Sequence, residues 1–295
     1  MPDTPAALAT VRKPADNEVD VYGLTHPGKV RKDNQDHFLI CSLHKQMKVH
    51  LTSLPEPEKL GGTDRLAFLA MVADGVGGQH AGEEASRLAI EAISKYVTQS
   101  VRCYYTTDPG DTATYLKTLE EAALRAHTEL AEGSRGDPER QGMATTLTLW
   151  LGVWPHAYLL QVGDSRCYIL RNGVLSQVSR DQTMAQDLVD QGILTRTDAQ
   201  NSRLAHILSS AMGGTHAMPL VTHLDQSWSN VGLLCSDGLT RHVSDERIRE
   251  RLVTMTSAKQ ACEALLQDAL DGGGSDNITI IIGRAVPAPG SPPVE

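Results

Sequence analysis

Five aspartates of this 295-residue chain stand where an apolar run begins or ends. Phe68-Leu69-Ala70-Met71-Val72-Ala73 leads into Asp74-Gly75, Tyr158-Leu159-Leu160-Gln161-Val162 into Gly163-Asp164, and Val231-Gly232-Leu233-Leu234-Cys235 into Ser236-Asp237-Gly238. Asp36 directly precedes His37-Phe38-Leu39-Ile40-Cys41, and Asp276 directly precedes Asn277-Ile278-Thr279-Ile280-Ile281-Ile282. An apolar run that meets a carboxylate reads as a buried strand carrying that group to the rim of a sheet, because unpaired charge is not left inside a core. Neighbouring antiparallel strands set the end of one beside the beginning of the next, so all five groups could share one rim. There they would repel one another unless cations were bound, and an all-oxygen ligand set favours Mg²⁺ or Mn²⁺ over zinc. Two such ions about 3.5–4 Å apart polarise a phosphoryl group and generate hydroxide at neutral pH. The competing reading is five unrelated turn aspartates, and the recurrence of the strand-to-Asp pattern argues against it. Gly75, free of Cβ crowding, could turn its carbonyl toward whatever Asp74 binds, with a helix starting near Ala81.

Positioning those groups requires a sheet-rich chain. Val19 to Leu24 alternates like a half-buried strand, and a polar loop from Thr25 carries Arg31 and Gln35 to Asp36. Leu43 to Arg65 looks like an insertion in a strand-to-strand connection. Ala85, Leu88, Ala89, Ala92, Ile93 and Tyr96 have helical spacing, as do Leu116, Leu119, Ala123, Ala126 and Leu130. Thr145 to Val153 and Ala157 to Val162 are β-rich around a turn at Pro155, and Cys167 to Leu175 forms a hairpin through Asn172-Gly173. From Asp181 to Val221 the periodicity blurs, with helical hints at Met184 to Asp187 and Leu204 to Ser209, which reads as a mobile flap over about 183–221. Two helices follow Asp237, the second opened by the capping box Ser257 to Gln260 and closed by Gly272-Gly273-Gly274. Residues 1–18 read as a disordered N-terminal segment and 286–295 as a Pro-rich tail.

Composition bounds the rest. A net charge of −9 without a basic block argues against a nucleic-acid surface, and 40% hydrophobic content without a membrane-length apolar run predicts one large soluble domain or two small ones. Cys41, Cys103, Cys167, Cys235 and Cys262 form no CxxC pair, so buried thiols in a reducing, cytoplasmic compartment are expected, with no signal peptide ahead of them. The eleven histidines lack the close helical spacing of a zinc site and read as surface and core residues.

The ordered blocks resemble the metal-dependent protein phosphatases of type 2C in their bacterial form. The resemblance runs from about Val19 to Gly283: Arg31 with Asn34-Gln35-Asp36; Val72-Ala73-Asp74-Gly75 with Gly77-Gly78; Gly82 with Ala85-Ser86; Ala144-Thr145-Thr146; Gly163-Asp164-Ser165-Arg166; Ser236-Asp237-Gly238; and Ser275-Asp276-Asn277. It implies an α+β fold, a four-layer α-β-β-α sandwich with two central antiparallel sheets over residues 19–285, and hydrolysis of phosphoserine and phosphothreonine in proteins. It also implies a dinuclear Mn²⁺ or Mg²⁺ centre, with Asp74 bridging both ions, the Gly75 carbonyl on one, and Asp237 and Asp276 on the other. Asp36 would orient solvent on the ions or ligate directly, Asp164 would help hold a third, weaker ion, and Arg31 would grip the phosphate. A water activated between the two cations would attack phosphorus in line, with no phosphoenzyme. The partners implied are phosphoproteins made by a cognate serine/threonine kinase.

Three positions depart from the family pattern. Gln35 stands where many relatives carry a carboxylate. Gln79 intervenes between the Gly pair and His80, so His80 is either a proton donor one residue out of register or a helix-entry histidine facing solvent. Asp181-Gln182 replaces an Asp-His pair, a change expected to touch substrate handling more than metal binding. Two other classes stay open: a two-metal phosphoesterase acting on small molecules or nucleotides, and a pseudophosphatase that keeps the fold as a docking platform.

Overall fold

The computed structural model describes residues 12–46, 63–77, 80–99, 111–137 and 140–291. Its strands, in chain order, are β1 (Val19–His26), β2 (Asp36–Gln46), β3 (Thr63–Val76), β4 (Ala144–Thr145), β5 (Leu147–Val153), β6 (His156–Val162), β7 (Arg166–Arg171), β8 (Val174–Gln177), β9 (Leu220–Asp225), β10 (Val231–Cys235) and β11 (Ile278–Ala285). The helices are α1 (Ala81–Gln99), α2 (Thr112–Gly133), α3 (Met184–Asp190), α4 (Arg196–Gln200), α5 (Asp237–Thr240), α6 (Asp245–Val253) and α7 (Ala258–Asp271). One sheet runs β1-β11-β10-β7-β8 and the other β2-β3-β5-β6-β9, with β4 pairing the end of β3. Every strand pairing among the described residues is antiparallel.

The layering follows from side-chain parity. On β3, Leu69, Met71 and Ala73 face α1 and α2, whereas Ala70 and Val72 face the other sheet. On β10 and β11, Leu233, Cys235, Ile278, Ile280 and Ile282 face the helix pair α6–α7, whereas Leu234 and Ile281 face inward between the sheets. Strands buried on both faces read as continuous apolar runs, and the three resulting cores give the four-layer α-β-β-α sandwich expected. The helices contribute one stripe each, Ala85, Ala89, Ile93 and Val97 on α1 and Leu119, Ala123, Ala126 and Leu130 on α2.

The local signals acted as their chemistry dictates. Asn172 (φ 51°) and Gly173 (φ 77°) form the β7–β8 turn. The Ser257 hydroxyl caps α7 by accepting from the Gln260 N–H, while the Gln260 side chain accepts from the Thr256 N–H.

Three readings change. Leu43 to Gln46 and residues 63–65 continue β2 and β3 rather than forming an insertion, whose centre, 47–62, lies outside the described residues. In the region read as a flap, α3 extends the helical hint at Met184 to Asp187, α4 adds a helical turn that the periodicity did not show, and β9 begins at Leu220, before the flap's expected end. Residues 12–18 are packed rather than loose: Glu18 is buried and takes both Arg12 guanidinium nitrogens at 2.6 and 2.9 Å, while Trp228 donates to the Arg12 carbonyl. Glu18 also holds the start of the C-terminal tail, accepting from the Val286 and Ala288 N–H groups. Composition missed these segments because an ion pair on the buried Glu18, not apolar content, anchors them. Cys167, Cys235 and Cys262 are buried free thiols, Cys41 is half-buried, and Cys103 lies outside the described residues.

Candidate active site

The parity that sorts the core also gathers the carboxylates. Asp36 and Asp74 are register partners across β2 and β3, and both share the inter-sheet face of Phe38, Ile40, Ala70 and Val72. Ser236 and Thr279 hold the same parity on the opposing sheet. Their hydroxyls both donate to Asp36 Oδ2, each at 2.7 Å, stitching the two sheets together beneath the site. Asp164 follows β6 on the short turn that crosses between the sheets to β7. Asp237 opens α5 directly after β10, and Asp276 precedes the neighbouring β11. Asp74, Asp164, Asp237 and Asp276 line one cleft of about 580 Å³, together with Arg31, Gly75 and Arg241.

Hydrogen bonds of the surrounding backbone and side chains position the segments that carry these aspartates. The Asp74 N–H donates to Thr146 Oγ1, and its carbonyl accepts from the Thr145 hydroxyl and the Thr146 N–H, all at 2.9 Å. Gly75 and Gly82 let β3 and α1 approach until a Cβ on Gly75 would collide with the Gly82 carbonyl. Asn277 accepts from the Gln35 N–H and donates to the Pro27 and Asp33 carbonyls, which fixes the loop that presents Arg31. Gln182 accepts from the Gly163 N–H at 2.7 Å and donates to the Met218 carbonyl. Asp181 takes Arg166 in a two-point grip. The Asp181-Gln182 pair therefore braces the turn bearing Asp164.

Charge in the cleft is unbalanced. Burial, then repulsion from Asp237, pushes Asp164 up to about 7, and burial pushes Asp36 up to about 6. Asp74 is raised well above the ordinary carboxylate range by burial and by Asp36, and Asp237 is raised chiefly by burial. Two arginines answer five acids. Arg31 forks onto Asp276 at 2.9 and 3.0 Å, and Arg241 reaches Asp237 and, at 3.1 Å, Asp276. Asp36 Oδ1 is buried and has no hydrogen-bond donor. An orphaned carboxylate oxygen beside further acids, in an all-oxygen donor set, fits hard divalent cations.

Of the residues singled out in the sequence, Arg31, Asp74, Gly75, Asp164, Asp237 and Asp276 meet in the cleft. Asp36 is buried beside its register partner Asp74 and does not itself line the cleft. His80 is exposed at the entry to α1, where its carbonyl accepts from the Glu84 N–H, and it does not line the cleft. Sequence reasoning missed Arg241 and the flap residue His206. Arg241 did carry a signal, an opposite charge four residues after Asp237; His206 ends the short 3-10 helix Arg203–His206, and nothing in its spacing tied it to the aspartates.

The family model for protein phosphatase 2C matches residues 59–272. The chain belongs to this family. It is 36% identical over 220 residues to the serine/threonine protein phosphatase PstP of Mycobacterium tuberculosis, a match covering 75% of this chain and 41% of that protein. The chain thus spans about two fifths of the length of that curated relative. It is 30% identical over 222 residues to the serine/threonine phosphatase stp of Listeria monocytogenes, covering 72% of this chain and 83% of the relative. The crystal structure of M. tuberculosis PstP/Ppp superposes with a TM-score of 0.73 at 30% identity, covering 91% of this chain and 99% of that one. A structure of the PstP catalytic domain in complex with two manganese ions superposes with a TM-score of 0.69 at 31% identity, with the same coverage. The resemblance drawn from the ordered Asp and Gly blocks is thereby borne out at the level of family and fold.

Proposed function

We propose that this type 2C chain is a divalent-cation-dependent phosphatase that hydrolyses phosphoserine and phosphothreonine in proteins, reversing a serine/threonine kinase in cytoplasmic signalling. The observation that carries this reading is the convergence of buried carboxylates from both sheets, in excess of the two arginines that meet them. Asp74 with the Gly75 carbonyl, Asp237 and Asp276 would hold two Mn²⁺ or Mg²⁺ ions, and Asp164 a third, weaker one. When bound, such ions supply Lewis-acid polarisation of the phosphoryl group and a lowered pKa for water.

The chain's own residues do the rest. Arg31 already makes two parallel N–H···O contacts to Asp276, and the same planar fork matches two oxygens of a phosphate. Arg241, on the other side of Asp276, adds a second positive charge facing the trianionic transition state. Asp36, held on one oxygen by Ser236 and Thr279, keeps Oδ1 free to orient solvent beside Asp74. His80 has no place in this reading. A second groove of about 1280 Å³ shares Asp164, Asp237 and Arg241 with the cleft and continues past Thr183, Gln186 and Arg196 of the flap. Room of that size beside the acids suits the residues flanking a phosphorylated side chain in a polypeptide. Among the described residues, no helix is long and apolar enough to cross a membrane.

Purified protein should release phosphate from phosphoserine and phosphothreonine peptides with Mn²⁺ or Mg²⁺ present, lose turnover in EDTA and regain it when the cation is restored. Full turnover in a cation-stripped sample overturns the metal reading. Faster hydrolysis of nucleotides than of phosphopeptides would replace the protein substrate with a small phosphoester.

A further inference from the structure

We propose that His156, His223 and Asp225 form a second metal site, for a borderline transition-metal ion of the Zn²⁺ type, on the β6–β9 edge of the sandwich. It stands whether or not the phosphatase reading holds. The β6 strand runs from His156 to Val162, and Asp164 follows it, so the two sites lie at opposite ends of one seven-residue strand, about 20 Å apart.

Three atoms define the site. His156 Nδ1 and His223 Nε2 are 3.0 Å apart, and Asp225 Oδ1 lies 3.4 Å from the first and 4.0 Å from the second. Tetrahedral zinc with bonds of about 2.0–2.2 Å spaces its ligand atoms about 3.3–3.5 Å from one another, and the observed triangle brackets that value. Strand geometry explains why these side chains meet. His156 pairs in register with Asp225, and Tyr158 with His223, so His156 and His223 are diagonal neighbours on one face. Tyr158 closes one side, with its ring centroid 5.4 Å from that of His223. Arg171 directs its guanidinium to the Asp225 main-chain carbonyl and to Asn230, not to the Asp225 carboxylate.

The histidine side chains are 25% and 30% exposed and Asp225 is 75% exposed, which gives the ion a route in. Two imidazole nitrogens and one carboxylate oxygen are the donor set of Zn²⁺ rather than of Mg²⁺, so the chain would carry two chemically distinct cation sites. An ion here would fasten β9, which receives the chain directly from the flap, to β6. The histidines lie 67 residues apart on separate strands, out of reach of any search for close ligand spacing.

The competing arrangement is a plain His–His hydrogen bond, and metal titration separates the two. With the cleft saturated by Mg²⁺, wild-type protein should bind one more equivalent of Zn²⁺ than H156Q/H223Q in calorimetry. Co²⁺ should give wild type, and not the double variant, the strong visible absorption of a tetrahedral ion. D225N alters only an exposed carboxylate and should weaken Zn²⁺ binding by roughly tenfold or more, as loss of an anionic ligand requires. Equal Zn²⁺ stoichiometry in wild type and H156Q/H223Q overturns the site. Should the double variant misfold, unchanged Zn²⁺ affinity in D225N overturns it instead.

Discussion

Of the regions where arginines meet aspartates, the α6–α7 helix pair and the cleft have opposite outcomes. On the helical face, Arg247 and Arg251 of α6 both fork onto Asp268 of α7, with contacts of 2.7 to 3.1 Å. Two cations on one anion, first among them Arg251, hold the Asp268 carboxyl at about 2. In the cleft the ratio reverses, and burial with mutual repulsion lifts Asp164 to about 7. The residue type is the same, and the local charge count and burial decide its state. The helix pair is electrostatically complete, whereas the cleft retains uncompensated negative charge at a cost to the fold. Such a cost is expected where the missing charge arrives as a ligand.

The largest test removes a cleft carboxylate. D74N or D237N should lower cation-dependent phosphatase turnover by more than about a hundredfold, beyond the 10–100-fold typical of residues that only support a metal ligand. D268N should leave turnover near the wild-type value. Steady-state kinetics on one phosphopeptide, at saturating Mn²⁺, compares the three. Near-normal rates in D74N and D237N would mean that the unbalanced charge serves something other than catalysis.

Much of this contrast was legible in the sequence. Phe68 to Ala73 and Val231 to Cys235 announce their own burial, and the first aspartate after each run, Asp74 and Asp237, reaches the cleft. What could not be read was long-range pairing. The β9 strand has a half-exposed burial pattern along Leu220–Asp225, because it is a sheet edge, and its Leu-Val-Thr-His-Leu-Asp run shows no clear alternation. The α4 helix is five residues long, and its signals are the Thr195 cap and Ala199. Gln182 looked like a lost histidine, and its hold on Gly163 becomes visible only when β6 and the flap are placed together.

A smaller effect concerns stability without cations. Asp36 and Asp164 are raised from 3.8 to about 6 and about 7, so between about pH 4 and 7 the native chain binds more protons than the unfolded chain. Stability contributed by these groups therefore falls as pH rises through that window. In EDTA at about pH 7.5, D164N should melt a few degrees above wild type, and the gap should close on acidification toward about pH 4.5. Saturating Mn²⁺ should narrow or reverse the gap, because wild type gains more from the ions. A D164N chain less stable than wild type in EDTA at neutral pH would show that Asp164 is already compensated.

Arg241 offers a finer adjustment, since it shares Asp237 and Asp276 with any cation that binds them. R241Q removes one positive charge at a partly exposed position and should tighten Mn²⁺ binding about two- to fivefold by calorimetry. Weaker binding in R241Q would make Arg241 a brace that shapes the ligands rather than a competitor for them.

The smallest effect is the one whose sign sharpens the comparison most. Asp268 has a depressed pKa, so its contribution to stability is present above the ordinary carboxylate value of 3.8 and is lost as pH falls toward about 2. Arg247 is 43% exposed and Arg251 29%, which screens the attraction. D268N should therefore cost only about 0.2–1 kcal/mol at neutral pH, less at high salt. D164N in EDTA should move the other way, so two Asp-to-Asn changes in one chain should shift the urea midpoint in opposite directions at neutral pH. Below about pH 4 both differences should shrink, the first as Asp268 begins to protonate and the second because Asp164 is already neutral. If D268N and D164N both destabilise the cation-free chain at neutral pH, the cleft is not holding the excess charge assigned to it, and the contrast between the two regions fails.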